Sequence, residues 1–429
     1  MKNRIIVGVA ALSMAVGLFA QSGTNSPYSQ YGLGVLTDQS QGFNRGMNGV
    51  GLAMRQGKIV NTLNPASYSA VDSLTMLFDV GLSGQITNFK EGGTRVNANN
   101  ADFEYAVGSF RMLRNVGVSF GILPYSNIGY SYATSTFMEE TRTTLANAYS
   151  GSGGLHQAFV GAGWRVLKPL SVGFNFAYLW GTYTRSVTTS GSDRSIRTLS
   201  KTYEASVNSY NLDFGLQWEQ QLSRADVLTL GLTFGLGHKL GADPSCDITI
   251  VDPLTNVSDT THLVAENGLS LPTSYGVGLA YNHAGKLLVG ADFTLQKWGS
   301  VDYPAEVGNS YQTTSGLLKD RYKINAGIDY VPNPNERKSF LKQIHYRAGA
   351  GYATPYYIIN GQDGPKEFSL SAGFGIPLMK SQNGQNRSML NISAQWAHTS
   401  AKNLITENTF RINIGLTFNE RWFAKWKID

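Results

Sequence analysis

The chain has 429 residues, 48 of them glycine, with 11% aromatic and 15% charged residues and a formal net charge of +6. So much glycine and so little charge is foreign to an ordinary soluble enzyme and suits a protein facing lipid on one side. The basic residues are scattered rather than striped, which argues against a nucleic-acid surface. The single cysteine, Cys246, excludes an internal disulfide framework and a cysteine-based zinc site, and lies too far from the N-terminus for a lipoprotein anchor.

Residues 1–20 read as a secretory signal peptide: Lys2 and Arg4 precede an apolar run from Ile5 to Phe19, and Ala20-Gln21 is the expected cleavage point. Leu18, bulkier than the usual small residue, allows that site to shift slightly. The run is short of the ~20 residues a spanning helix needs, and no later segment approaches that length. Residues 21–73 then carry glycines, small residues and amides without sustained alternation. They fit either a disordered periplasmic tail or a plug, because a wide barrel leaves a lumen that small side chains do not fill.

From Leu74 onward the pattern has period two. Phe410, Ile412, Ile414, Leu416 and Phe418 share one face, against Arg411, Asn413, Gly415 and Thr417 on the other. Successive strand side chains point to opposite faces, so each segment has an apolar face and a polar or minute one. A soluble sandwich would also alternate. Two features favour a barrel in lipid: aromatics at strand ends (Tyr178 and Trp180, Trp218, Tyr346 and Tyr352) and glycines on the opposite faces, such as Gly276 and Gly278.

The fold class is therefore all-β, a transmembrane antiparallel β-barrel of about 14 strands with an N-terminal plug. Strands are expected near residues 80, 106, 120, 161, 176, 214, 232, 278, 292, 326, 348, 372, 393 and 414. Short links, as at 113–115 and 167–169, alternate with long ones at 134–153, 188–202, 238–271, 299–318 and 355–365. That asymmetry, with an even strand count, places the protein in a bacterial outer membrane with both termini periplasmic. The expected domains are 1–20 signal peptide, 21–73 hatch, 74–418 barrel and 419–429 periplasmic tail. No sequence repeat of 20–50 residues supports a propeller or solenoid.

The stretch Arg45-Gly46-Met47-Asn48-Gly49-Val50-Gly51-Leu52-Ala53, followed by Asn64-Pro65-Ala66-Ser67 before the first strand, resembles the N-terminal hatch of FadL-type outer-membrane transporters. In residue identity the resemblance rests on the hatch; in architecture it covers nearly the whole chain. It implies a fourteen-stranded barrel, a hatch motif at Asn64, Pro65 and Ala66, and passive uptake of hydrophobic small molecules such as long-chain fatty acids. The opening Ser26–Gly32 and the extension Asn419–Phe423 look like versions from Bacteroidota. In that family a kink in the third strand opens a sideways exit, and Pro124 is the expected strand break because proline cannot donate to a ladder. Some members instead serve as subunits of larger outer-membrane machines that secrete or assemble proteins, which is the rival reading.

Pro65 fixes its own φ and biases Asn64 toward an extended conformation, and the Asn64 amide suits a buried turn. Alternation places Asp79, Glu104, Arg165, Asp213, Asp292, Lys323, Asp329, His345, Arg347 and Arg411 in the lumen, where mixed charges pair with each other and the plug or guide a ligand. Only Leu77, Phe110, Phe159, Leu179 and Leu288 are apolar residues clearly pointing inward, fewer than a hydrophobic channel needs. The tail carries Trp422, Phe423 and Trp426, suited to a partner contact or an interfacial anchor. The six histidines have no metal-ligand spacing, no nucleophile elbow or cofactor motif is expected, and the chain reads as a non-enzyme. Its expected partners are outer-membrane lipids, a hydrophobic ligand, and outer-membrane complex partners, with no nucleic acid.

Overall fold

The computed structural model describes residues 23–140, 142–193, 195–334, 339–378 and 388–420; the signal-peptide reading and the tail residues Trp422, Phe423 and Trp426 lie outside them. Fourteen strands form the barrel. The first seven are β1 (Met76–Glu91), β2 (Thr94–Leu113), β3 (Val116–Met138), β4 (Thr143–Arg165), β5 (Leu170–Gly191), β6 (Thr198–Gln221) and β7 (Asp226–Gly235). The others are β8 (Ser274–His283), β9 (Leu287–Gln296), β10 (Arg321–Tyr330), β11 (His345–Ala353), β12 (Lys366–Pro377), β13 (Met389–Ser400) and β14 (Thr406–Glu420). Each pairs antiparallel with its neighbours in sequence, and β1 closes on β14 from Met76↔Glu420 to Lys90↔Thr406.

Alternation explains which way each strand faces. On β14, Phe410, Ile412, Ile414 and Phe418 are exposed outward while Asn413, Thr417 and Asn419 are buried inward. The same holds for Phe174 and Phe176 on β5, Val277 and Leu279 on β8, and Ile324 and Ile328 on β10. The result is an apolar belt around the barrel, far larger than the patches a soluble monomer exposes. Trp164 and Trp218 stand within a few residues of the strand ends beside short links, and Tyr330 and Tyr346 flank the longer link over residues 331–344, where an aromatic girdle belongs.

Two of the expected long links are instead strand. Residues 134–153 and 188–202 are mostly the outer parts of β3, β4, β5 and β6, whose near ends are Met138, Thr143, Gly191 and Thr198. β4 has 23 residues, roughly 75 Å of chain at ~3.3 Å per residue, against the 9–11 a membrane strand needs. The surplus extends past the apolar belt as a projecting sheet. A hairpin of Ser245–Val251 and Ser258–Val264 extends it, pairing with β6 from Val251↔Thr198 to Ser245↔Glu204. The link at 299–318 holds a second hairpin, Tyr303–Val307 with Ser310–Thr314.

The barrel wall is not continuously laddered. β2 and β3 pair only from Leu113↔Val116 to Ala106↔Ile122. Beyond that point β2 is laddered only to β1, up to Glu91↔Thr94, and β3 only to β4, up to Met138↔Thr143, apart from two residues of the N-terminal segment, while the Asn127 side chain donates across the gap to Asp102 at 2.9 Å. Pro124 lies at the start of this seam, where the β3–β4 register shifts between Pro124 and Ser126. The strand does not end there, as a simple strand terminus would; it continues to Met138.

Candidate functional site

Residues 23–73 pack along the inward faces of the strands. Val35–Leu36 adds to the seam edge of β3 at Asn127 and Ser126. A four-residue helix, Gly42–Arg45, and a 3-10 turn, Pro65–Ala70, are the other ordered pieces of the lower segment. Running backward from Tyr68, the segment follows the wall in strand order. Tyr68 lies against Gly117 on β3, Pro65 against Gly163 on β4 and Gly173 on β5, and Asn64 against Gly215 on β6. Leu52 faces Gly231 and Gly278 on β7 and β8, Val50 faces Gly290 on β9, and Met47 faces Gly327 and Gly349 on β10 and β11. Gly46 then meets Gly373 on β12, and Gly42 meets Gly415 on β14.

This explains the glycine-rich inner face. A Cβ at Gly327 would stand 2.6 Å from the Cβ of Met47, and one at Gly290 would stand 2.9 Å from Cγ1 of Val50. The segment approaches ten consecutive strands, β3 to β12, so closely that at most of these contacts the wall has no room for a side chain.

Polar groups fasten the segment in the same zone. Asn64 is extended at φ −140° and caps the 3-10 turn, its Oδ1 accepting from the Ala66 amide at 3.1 Å, while Pro65 occupies the first position of the turn. Its Nδ2 donates to Leu52 O at 2.8 Å and approaches the carbonyls of Leu216 and Leu232 at 3.2 and 3.3 Å. Asn64 therefore ties the turn to β6, to β7 and to the other arm of the segment. Ala66 is fully buried beside it.

The charged residues expected in the lumen separate into groups. Glu104 pairs with Arg45 at 2.8 Å, and Arg45 also reaches Asn413, Ser40 O and Asp38 O. Asp292 accepts from the amides of Gly51 and Leu52 at 2.6 and 2.9 Å. Asp329 binds both Arg347 and His345 at 2.9 Å, and Arg347 lies 4.1 Å from the Phe43 ring centre. Asp79 accepts from the hydroxyl of Tyr105, which in turn accepts from the Gly42 amide at 2.6 Å. Asp213 accepts from Asn211, and Arg411 donates to Gln85. Arg165 is half-buried at the end of β4, while Lys323 and Arg411 line a cavity in the outer half.

Sequence reasoning missed Arg45 and Tyr105 as interior anchors. The signal for Arg45 was a lone cation in an amide-rich segment opposite an inward carboxylate. Tyr105 escaped because β1 and β2 slip register between Gly81 and Leu82, so that Phe103, Glu104 and Tyr105 are all buried in a row. It also missed that Gly117-Val118-Ser119-Phe120-Gly121 spells a nucleophile-elbow pattern. The pentapeptide is mid-strand, however, and fully buried Ser119 donates to Gly108 O at 2.8 Å, so no strained turn presents the hydroxyl.

The outer half differs in character. An apolar cluster of Leu33, Ile128, Leu155, Leu179, Trp298 and Tyr356 fills its centre. Over it, Arg185 donates to Gly32 O at 2.5 Å and to the Tyr303 hydroxyl at 2.8 Å, and Tyr303 also donates to Gly32 O at 2.7 Å. Tyr356 donates to Gly34 O. In the second hairpin Glu306 receives Lys201 at 2.5 Å together with the Tyr203 hydroxyl. Burial raises its pKa, but these two donors outweigh that and hold the carboxyl below its ordinary value.

The inward apolar residues Leu77, Phe159, Leu179 and Leu288 are buried in packed clusters rather than along an open path. One cavity of about 200 Å³ lies in the outer half among Asp38, Arg321, Lys323, Glu367, Glu407 and Arg411. Another of about 280 Å³ sits among the outer connections beside His238, Asn267 and Asp302. Charged side chains line the first, whereas a pocket for a hydrophobic ligand is lined mainly by apolar groups. Among the described residues no three potential metal ligands cluster.

Comparison with known proteins places the fold. The crystal structure of a Pseudomonas aeruginosa FadL homologue superposes at TM-score 0.63 with 11% identity, covering 90% of this chain and 99% of that one. The Pseudomonas putida toluene transporter TodX gives 0.62 at 14% identity over 90% and 100% of the two chains. The Ralstonia pickettii toluene transporter TbuX gives 0.61 at 15% identity over 89% and 98%. At such identities the likeness is one of fold. No curated protein sequence matches significantly. A family profile described as BamG matches residues 1–429.

Proposed function

The chain belongs to the BamG family, and from that premise we propose that it is a sealed, FadL-like outer-membrane barrel that does not transport. In this reading it serves as an accessory subunit of a larger outer-membrane complex that secretes or assembles proteins, with residues 21–73 as a permanent plug. One observation carries the reading: the N-terminal segment packs against glycines on ten consecutive strands. A gate must leave the wall at modest cost. This segment is instead fitted to the wall around most of the circumference and fixed by Asn64, Arg45 and the Asp292 contacts. The lumen charges then serve to hold the plug, not to guide a ligand.

The test is the native mass of the protein gently extracted from its own outer membrane. The reading expects a stoichiometric complex with other envelope proteins. A lone barrel carrying a lipid-sized adduct contradicts it.

A second reading, passive uptake of hydrophobic molecules, is favoured by the seam between β2 and β3 beside Pro124 and by the fold shared with toluene transporters. Pro124 would then mark a lateral exit, with the hatch as its gate. Replacing Pro124 by valine should lower uptake of a labelled long-chain fatty acid, and unchanged uptake removes this reading.

A further inference from the structure

We propose that the outer edge of β3, Ser131–Met138, is a strand-acceptor site that takes an uncharged, extended segment of a partner protein by β-addition; this rests on the accessory-subunit reading and deepens it.

The seam leaves this edge bare. After Ala106↔Ile122 the β2–β3 ladder stops, and from Gly129 to Met138 β3 has a strand partner, among the described residues, only in β4. A β-strand has two rows of backbone donors and acceptors, so one row of Ser131–Met138 has no ladder. Such a row is complementary to another extended backbone.

The chain shows that the edge accepts a strand. Val35 and Leu36 pair antiparallel with Asn127 and Ser126, and the Thr37 amide donates to Tyr125 O at 3.1 Å. This internal strand stops short. Gly34, at φ +94°, turns the chain off the edge into the 3-10 turn Pro27–Gln30, where the Ser29 hydroxyl accepts from the Gly129 amide. The edge beyond it continues in the same sheet with nothing from the described N-terminal segment laid along it.

Sequence chemistry identifies the occupant. Natural edge strands are blunted with charges, proline or bulges. Ser131-Tyr132-Ala133-Thr134-Ser135-Thr136-Phe137-Met138 has no charge, proline or glycine and is rich in strand-forming residues. All but Tyr132 are exposed, and the first acids, Glu139 and Glu140, come only in the turn beyond. Left uncovered, this is the composition of an aggregating segment. The edge is also preformed, because Tyr132 bonds to Gln30 at 3.1 Å and stacks on Tyr149 at 4.8 Å. A preformed neutral edge fits a neutral, extended peptide strand running antiparallel to β3, as Val35–Leu36 does.

The experiment is amide hydrogen exchange of residues 129–138 in the full-length protein. Three preparations are compared: purified in detergent, in vesicles of extracted outer-membrane lipid alone, and in native outer-membrane vesicles. The expected result is at least tenfold slower exchange of about half of these amides in native vesicles only. Thr134→Lys with Thr136→Lys, at exposed positions that leave the β4 ladder intact, should restore fast exchange there. Slow exchange in lipid-only vesicles assigns the cover to lipid, and slow exchange that depends on protein concentration in detergent assigns it to a second copy; both overturn the proposal. Equal exchange in all three preparations also overturns it. If the native mass still shows a complex, only the strand-acceptor site falls, whereas a lone barrel removes the accessory reading itself.

Discussion

The lower and outer halves of the barrel interior hold the same N-terminal segment by different means. Near the short turns, its backbone lies against wall glycines, and buried amides and ion pairs fasten it there. Near the long connections, the segment meets aromatic packing, half-exposed ion pairs, a polar cavity and a wall with an open seam. Backbone-to-glycine contact leaves no slack, because a packed wall tolerates neither added nor lost atoms. Side-chain caps over a polar cavity can rearrange at little cost. The lower half is therefore read as the seal and the outer half as the working surface.

That contrast can be broken at its strongest point first. Arg45→Met leaves Glu104 buried without its ion-pair partner, held by the Ser83 hydroxyl and the more distant charge of Arg411, and removing one partner of a buried pair costs about 3–5 kcal/mol. The midpoint of urea unfolding, followed by heat-modifiable gel migration, should fall accordingly; an unchanged midpoint would show that the lower half is loosely held. Asn64→Ala removes a cap and one of the two side-chain donors to Leu52 O, leaving Gln217 as the other, an expected loss of about 2 kcal/mol in the same assay. Gly327→Val forces a side chain onto Met47 and should cost about 1–3 kcal/mol. Gly84→Val is the control, since nothing lies within 4 Å of a Cβ there, and should leave the midpoint in place.

The smallest effect belongs to the outer half. Glu306→Gln loses the Lys201 bridge, whose partners are 30% and 25% exposed, and should change stability by no more than about 1 kcal/mol. Its pH dependence has a definite sign. The Glu306 carboxyl is held below its ordinary value, so its contribution is present at neutral pH and fades as pH falls through the carboxylate range. Protease cleavage within residues 303–314 should therefore accelerate on acidification in the parent and less so in Glu306→Gln.

The strand count was legible because lipid on one side and polar groups on the other enforce strict alternation, as on β14. The same logic hid the outer strand extensions. Residues such as Thr143-Thr144-Leu145-Ala146-Asn147 lie beyond the apolar belt, so no apolar period marks them, and they read as loop. Asn64 was legible as a turn former from its neighbour Pro65, but its reach to Leu52, Leu216 and Leu232 depends on three-dimensional closure. The bulge beside Gly81 put Tyr105 inside against the alternation, and no local signal announces a bulge. The inward glycines were visible; what they make room for was not, because close approach is a property of two distant segments.

The central claim is that the lower seal never opens in the protein's working cycle. Val50→Cys with Gly290→Cys tests it directly. Cγ1 of Val50 lies 2.9 Å from where a Gly290 Cβ would stand, close to the roughly 3 Å between a disulfide sulfur and the opposite Cβ that standard S–S geometry sets. The oxidised variant should keep its place in the native envelope complex and support growth as well as the reduced form. Loss of growth, or of labelled fatty-acid uptake, on oxidation and its recovery on reduction would contradict the account and make the segment a gate.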